Sequence, residues 1–170
     1  MIPYKDDNPT TRFPVVTVVL ITINVVVFLA ARLQGGGVFV KAVTEMGAIP
    51  RELWQGNLQN SRAISPYLSL FTSMFMHGGF LHIIGNMIYL WIFGNNVEDY
   101  LGRFRFIVFY LACGLIAALC HALINIKSPV PMVGASGAIA GVLGAYLVLY
   151  PWARVHVLVF IFFFVTTFMV

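Results

Sequence analysis

The sequence predicts an all-α membrane protein, a helical bundle with five transmembrane segments, and three observations carry that prediction. Hydrophobic residues make up 60% of the 170 residues and charged residues only 9%, and the mean hydropathy is +0.90. A soluble domain carries about 25% charged residues, so this chain needs lipid as its main solvent. Five apolar runs of roughly membrane-crossing length follow one another, separated by polar or turn-rich connections. Polar side chains inside those runs are few, and two of them, His82 and Asn86, stand one helical turn apart.

Residues 1–13 form a mixed-charge, proline-bearing tail, and residues 14–170 read as one membrane domain. The first span runs from about Pro14 to Ala31, with proline in the first turn, where its missing N–H costs little. No convincing small-residue cleavage site follows it, so it reads as a retained helix and not as a signal peptide. The connection from Arg32 to about Tyr67 contains "QGGG", "GAIPREL" and Trp54. It is too apolar for a plain linker and is expected to fold against the membrane surface.

The second span is placed at Phe80–Val97, the third at Arg105–Ile124, the fourth at Ser136–Tyr150 and the fifth from Val155 to Val170. The fourth is short. About 15 residues at a rise of ~1.5 Å cover roughly 22 Å, less than a hydrocarbon core of about 30 Å. The simplest resolution is that the loop Asn125–Ala135 dips into the protein and delivers Ser136 to a buried, wet helix start.

Charge excludes little beyond one class. The net charge of +4 comes from scattered Lys and Arg with no basic run, so nucleic-acid binding is a poor reading. Lys5, Arg12, Arg103, Arg105 and Arg154 fall on one side of the predicted spans, and Arg32, Lys41, Arg51, Arg62 and Lys127 on the other. The positive-inside rule therefore gives no orientation. Cys113 and Cys120 lie two helical turns apart, too far for a disulfide, and read as small packing residues. No "HExxH" or embedded aspartate pair supports a metal or aspartyl protease, and no metal or cofactor is expected.

Two constellations could carry chemistry. His82 and Asn86 share one helix face and can both donate to an anionic oxygen; an interhelical hydrogen-bonded pair is the plainer alternative. "VGASGAIAG", Val133–Gly141, places Ser136 at a helix start. Small residues at Ser136, Ala140 and Gly144, and at Gly137 and Gly141, suit close helix packing, which is indifferent to the hydroxyl. The catalytic alternative needs that hydroxyl. Free N–H groups and the positive dipole end at a helix start suit an oxyanion, and Gly134 allows a substrate backbone to approach. The motif is not the nucleophile elbow of soluble hydrolases, because Ala138 stands where "GxSxG" needs glycine.

Taken together, "HGGFLHIIGNMIYLWIFG" followed by "EDYLGRFRF", and "GASGAIAG" read as "GxSGxxxG", resemble the rhomboid family of intramembrane serine proteases. "NPTTRFPVVTVVLITINVVVF" and "GAIPREL" are similar to bacterial members, and the resemblance covers nearly the whole chain. It implies a rhomboid-like bundle of six helices, with Ser136 as nucleophile and His82, Asn86 and the Ser136 backbone N–H stabilising the oxyanion. It also implies substrates that are transmembrane or membrane-proximal segments of other membrane proteins, cleaved in the bilayer without a cofactor. A cytoplasmic N-terminus, a site opening to the outer face and a bacterial plasma-membrane location follow from the same likeness.

The resemblance also implies a general base, a His on a sixth helix, and the chain is expected to be C-terminally incomplete before that helix. A serine at its free pKa is a weak nucleophile without such a base. His77 reads as an interfacial packing residue, His121 lies at a segment end beside no motif, and His156 lies near the opposite face from Ser136. On this reading the face around Gly137 and Gly141 awaits a sixth helix. Two rivals remain: a non-catalytic rhomboid-like protein that binds client helices, and a small transporter with a broken fourth helix.

Overall fold

The computed structural model describes residues 2–55, 62–161 and 164–169. In chain order the elements are β1 (Ile2–Asp6), α1 (Val15–Leu33), α2 (Gly36–Met46), α3 (Pro50–Gln55), α4 (Pro66–Thr72) with a 3-10 turn at Ser73–Phe75, α5 (Phe80–Leu101), α6 (Arg103–Ile124), α7 (Ser136–Leu149), β2 (Val155–Ile161) and β3 (Phe164–Met169). Helices α1, α5, α6 and α7 make a bundle that agrees with the first four predicted spans to within a few residues.

The bundle is apolar on its outer surface as well as in its core. Thr17 and Asn24 of α1 are fully buried, whereas Val19, Ile23, Val26 and Leu29 of the same helix are exposed. Helix α6 repeats the pattern, with Val108, Ile116, Leu119 and Leu123 turned outward. Such continuous apolar faces are stable only against lipid. Helices α1 and α6, at 19 and 22 residues and a mean hydropathy of 2.4 each, are long and apolar enough to cross a membrane. The Pro66–Phe75 pair and α5 meet at a bend of 76° and together form a further candidate span. Helix α7, at 14 residues, is short.

Helix α1 begins after Pro14 with no side-chain cap of its own. Its first N–H groups are met from α5: the buried Glu98 carboxylate accepts from Val16 N–H at 2.9 Å and from Thr17 N–H and hydroxyl at 2.7 and 2.8 Å. A carboxylate is the right charge for the positive end of a helix. Gly102, with φ of 79°, ends α5 and starts α6 in a single residue, a conformation that glycine adopts without a Cβ penalty.

Helix α7 sits between α5 and α6. Its buried Ala138, Ile139, Val142 and Tyr146 join Leu90, Phe93, Phe106 and Tyr110 in the main core. A Cβ on Gly141 would lie 2.5 Å from Cys113 Sγ, and one on Gly137 would lie 2.6 Å from the Ala117 Cβ. Both glycines therefore face α6. This corrects the expectation that their face waits for a sixth helix: the small residues let α6 and α7 close on each other.

The fifth predicted span is also corrected. The run from Val155 is extended and not helical; residues 162–163 and 170 of it lie outside the described residues. β2 pairs antiparallel with β1, from Ile2↔Leu158 to Asp6↔Val155, and with β3, giving the order β1-β2-β3. Val, Ile, Thr and Phe dominate the run and favour strands. Val-rich α1 shows that composition alone does not decide: α1 has Glu98 and a packing face, whereas β2 meets the edge of β1. The sheet is tied to the bundle through Asp6, which accepts from Tyr146 hydroxyl at 2.7 Å and Asn96 Nδ2 at 2.8 Å.

Between α1 and α5, α2 and α3 pack beside the bundle. The nearly buried Arg62 guanidinium donates to Glu52 and to the Glu45 and Gly47 carbonyls, at 2.5–2.6 Å. Trp54 Nε1 donates to the Ala122 carbonyl of α6 at 3.2 Å. Residues 56–61 of this connection lie outside the described residues.

Candidate active site

The site forms where the loop before α7 meets the start of α5. The loop is held at three points: Arg51 N–H donates to Ser128 carbonyl, Ala48 and Met132 exchange both backbone hydrogen bonds, and Gly134 N–H donates to Ser73 carbonyl at 2.8 Å. Met132 and Ala48 make the one isolated bridge among the described residues. Gly134 follows with φ of 121°, outside the range of ordinary L-residues. Ala135 is fully buried, and the chain then turns into α7 at Ser136. The loop thus packs inward before the helix begins.

No side chain caps α7. The N–H groups of its first turn are the ones that an α-helix leaves without intrahelical acceptors, and the helix dipole adds a positive partial charge there. Ser136 is exposed at this end. From α5, the His82 ring reaches the same place: a Cβ on Gly134 would lie 2.7 Å from its Cε1 and Nε2, and 3.6 Å from Asn86 Nδ2. Ser136, His82, Asn86 and Gly134 are therefore brought together, joining two groups that local spacing leaves separate.

Two hollows meet at Ser136. One, of about 410 Å³, runs along the α5–α7 groove and is lined by His82, Asn86, Tyr89, Ser136, Ala140 and Leu143 among others. The other, of about 620 Å³, lies toward α6 and the loop, where Ser73, His121, Ser128 and Gly137 line it with His82 and Ser136. His121, read from sequence as lying beside no motif, thus shares a cavity with Ser136. The helical fold brings the end of α6 back to the loop, which local sequence does not reveal.

His77 is the residue that sequence reasoning missed. It is fully buried, not interfacial, and its Nε2 stands 2.9 Å from Asn86 Nδ2. Its ring also packs edge-on against His82, with centroids 5.1 Å apart. A signal was present in "MHGGFLHIIGN": a polar ring next to two glycines, just before the helix that carries His82 and Asn86. His156 is elsewhere, paired with Asp7 at 2.8 Å on the sheet.

Chemically, the arrangement offers a hydroxyl at an uncapped helix start, with an imidazole and an amide lining the same hollow. Free N–H groups at a helix start and a side-chain amide can both donate to a group that carries negative charge.

The Rhomboid domain family profile matches residues 65–170. The chain is 31% identical over 134 residues to Rhomboid protease GluP of Bacillus subtilis, covering 79% of this chain and 24% of that protein. It is 34% identical over 111 residues to RHOMBOID-like protein 5 of Arabidopsis thaliana, covering 65% of this chain and 33% of that protein. It is 33% identical over 101 residues to the mitochondrial Rhomboid protein 1 of Saccharomyces cerevisiae, covering 57% and 29%. The chain spans a quarter to a third of the length of these relatives.

Proposed function

The chain belongs to the rhomboid family, and from that premise we propose that it is the core of an intramembrane serine endopeptidase that cleaves transmembrane or membrane-proximal segments of membrane proteins. The observation that carries the proposal is the convergence of Ser136, at the uncapped start of α7, with His82 and Asn86 from α5. In this reading Ser136 Oγ attacks the scissile carbonyl. The developing oxyanion accepts from His82, from Asn86 and from the Ser136 backbone N–H. Gly134, bare of a side chain, leaves room for the substrate backbone.

The general base is proposed to be a His on a sixth helix outside this sequence, because a serine attacks poorly without a proton acceptor. The bacterial plasma membrane is the proposed location, with the N-terminus in the cytoplasm. The likeness to a rhomboid protease of Bacillus subtilis supports a bacterial setting, and the outward apolar faces of α1 and α6 support the membrane.

A second reading draws on one observation: among the described residues no hydrogen bond joins Ser136 Oγ to a histidine. The protein would then hold client helices in the α5–α7 groove without cutting them. Fluorophosphonate labelling of the complete protein, sixth helix included, separates the two. A protease labels at Ser136 and loses both labelling and cleavage of a test transmembrane substrate in Ser136→Ala. Cleavage that survives Ser136→Ala sinks the protease reading.

A further inference from the structure

We infer that His77 is a positioning residue, holding the Asn86 side-chain amide in the orientation from which it donates to the oxyanion. This inference rests on the protease reading of the same site. Asn86 Nδ2 lies 2.9 Å from His77 Nε2, and an amide nitrogen can only donate, so Nε2 accepts and the ring proton sits on Nδ1. One hydrogen of the Asn86 NH2 is thereby fixed on His77. The other is left for the space between Gly134 and His82, where Nδ2 comes within 3.6 Å of the position a Gly134 Cβ would take.

Asn86 needs such a restraint. The terminal torsion of an asparagine is broad and nearly two-fold, and its amide borders a hollow of about 410 Å³. A donor acts on a developing charge to the extent that it is oriented beforehand. His77 also pays a visible cost for its place: it is fully buried and its Nδ1 has no hydrogen-bond partner. A leucine or phenylalanine would fill the space without that orphaned atom, so packing does not account for a histidine.

The location supports the same role. Ser73 and His77 flank one short turn ahead of α5. The Ser73 carbonyl holds Gly134 N–H at 2.8 Å, fixing the loop that delivers Ser136, while His77 holds Asn86 and packs on the His82 ring. One turn thus registers the nucleophile loop against both proposed oxyanion side chains.

The test compares wild type, His77→Leu and His77→Gln, each in the complete protein with its sixth helix, in the same detergent, normalised to folded protein by thermal unfolding. The readouts are the rate of fluorophosphonate labelling at Ser136, and kcat and KM wherever the protein turns over. His77→Leu is expected to lower the labelling rate and kcat at least tenfold with KM within about twofold, and His77→Gln, which keeps a hydrogen-bonding side chain, is expected to recover most of the loss. Unchanged labelling per folded His77→Leu molecule overturns the proposal while leaving the protease reading intact. Wild-type protein that does not label at Ser136 overturns both. Should His77→Leu not fold, the ring ¹⁵N resonances of His77 decide: an Nε2 signal that shifts in Asn86→Ala supports the contact, and one that does not move overturns it.

Discussion

Gly134 and His82 approach so closely that Gly134 can carry no side chain: a Cβ there would stand 2.7 Å from His82 Cε1 and Nε2. Its φ of 121° excludes other L-residues independently of space. Gly134→Ala should cost about 1–3 kcal/mol of stability through backbone strain. It should also displace His82 from Ser136. Thermal unfolding and labelling at Ser136, measured on the same samples, check both; a variant with wild-type stability and labelling would show that the loop relaxes freely.

Asn86 is expected to affect chemistry more than folding. Removing one oxyanion donor typically slows kcat by about 10²–10³. Under the proposed function, Asn86→Ala should therefore slow turnover by that order, with KM and the unfolding temperature close to wild type. If turnover per folded molecule is unchanged and the variant melts early, Asn86 is an interhelical strut.

Glu98 joins α5 to the start of α1 through three hydrogen bonds to one buried carboxylate. Glu98→Ala leaves two N–H groups and the Thr17 hydroxyl without their acceptor, and should cost about 2–4 kcal/mol. Glu98→Gln keeps the shape and part of the bonding and should cost less. Denaturant unfolding in a fixed detergent ranks the three proteins, and equal stabilities would show that water replaces the carboxylate.

The β1–β2 pairing should weaken in acid. His156 Nε2 stands 2.8 Å from Asp7 Oδ1, and this hydrogen bond holds the Asp7 carboxyl below its ordinary value of 3.8. A folded-state pKa below the unfolded one means a contribution that is complete above the ordinary carboxylate range. It is lost as pH falls through the lowered value. Asp7 is exposed, so the effect is local. Hydrogen exchange at the β1 amides should show protection that falls in this acid window in wild type and lacks that step in Asp7→Asn.

Much of the site was legible because helical spacing is local. His82 and Asn86 at four residues, and Ser136 two residues after Gly134, dictate which groups share a face and where a helix begins. The role of His77 was not legible. Nothing within a few residues of it names Asn86 as its partner; the turn from the 3-10 element into α5 folds it back. His121 was hidden for a related reason, since it reaches the cavity of Ser136 only through the packing of α6 against the loop.

By itself the sequence determined that this chain lives in lipid, where its first four helices lie, that His82 and Asn86 share one helix face, and that Ser136 stands at a helix start. Those follow from composition, periodicity and motif order, which need no knowledge of partners. Only the tertiary structure decided which way the small residues of α7 face and what becomes of the run after Val155. Gly137 and Gly141 turn to α6 because Ala117 and Cys113 there let the backbones close. Val155–Ile161 is a strand where similarly β-branched α1 is a helix, because β2 finds the backbone of Ile2–Asp6 to pair with while α1 finds Glu98 at its N-terminus. A segment whose own preferences are nearly balanced takes the conformation whose hydrogen bonds its neighbours complete.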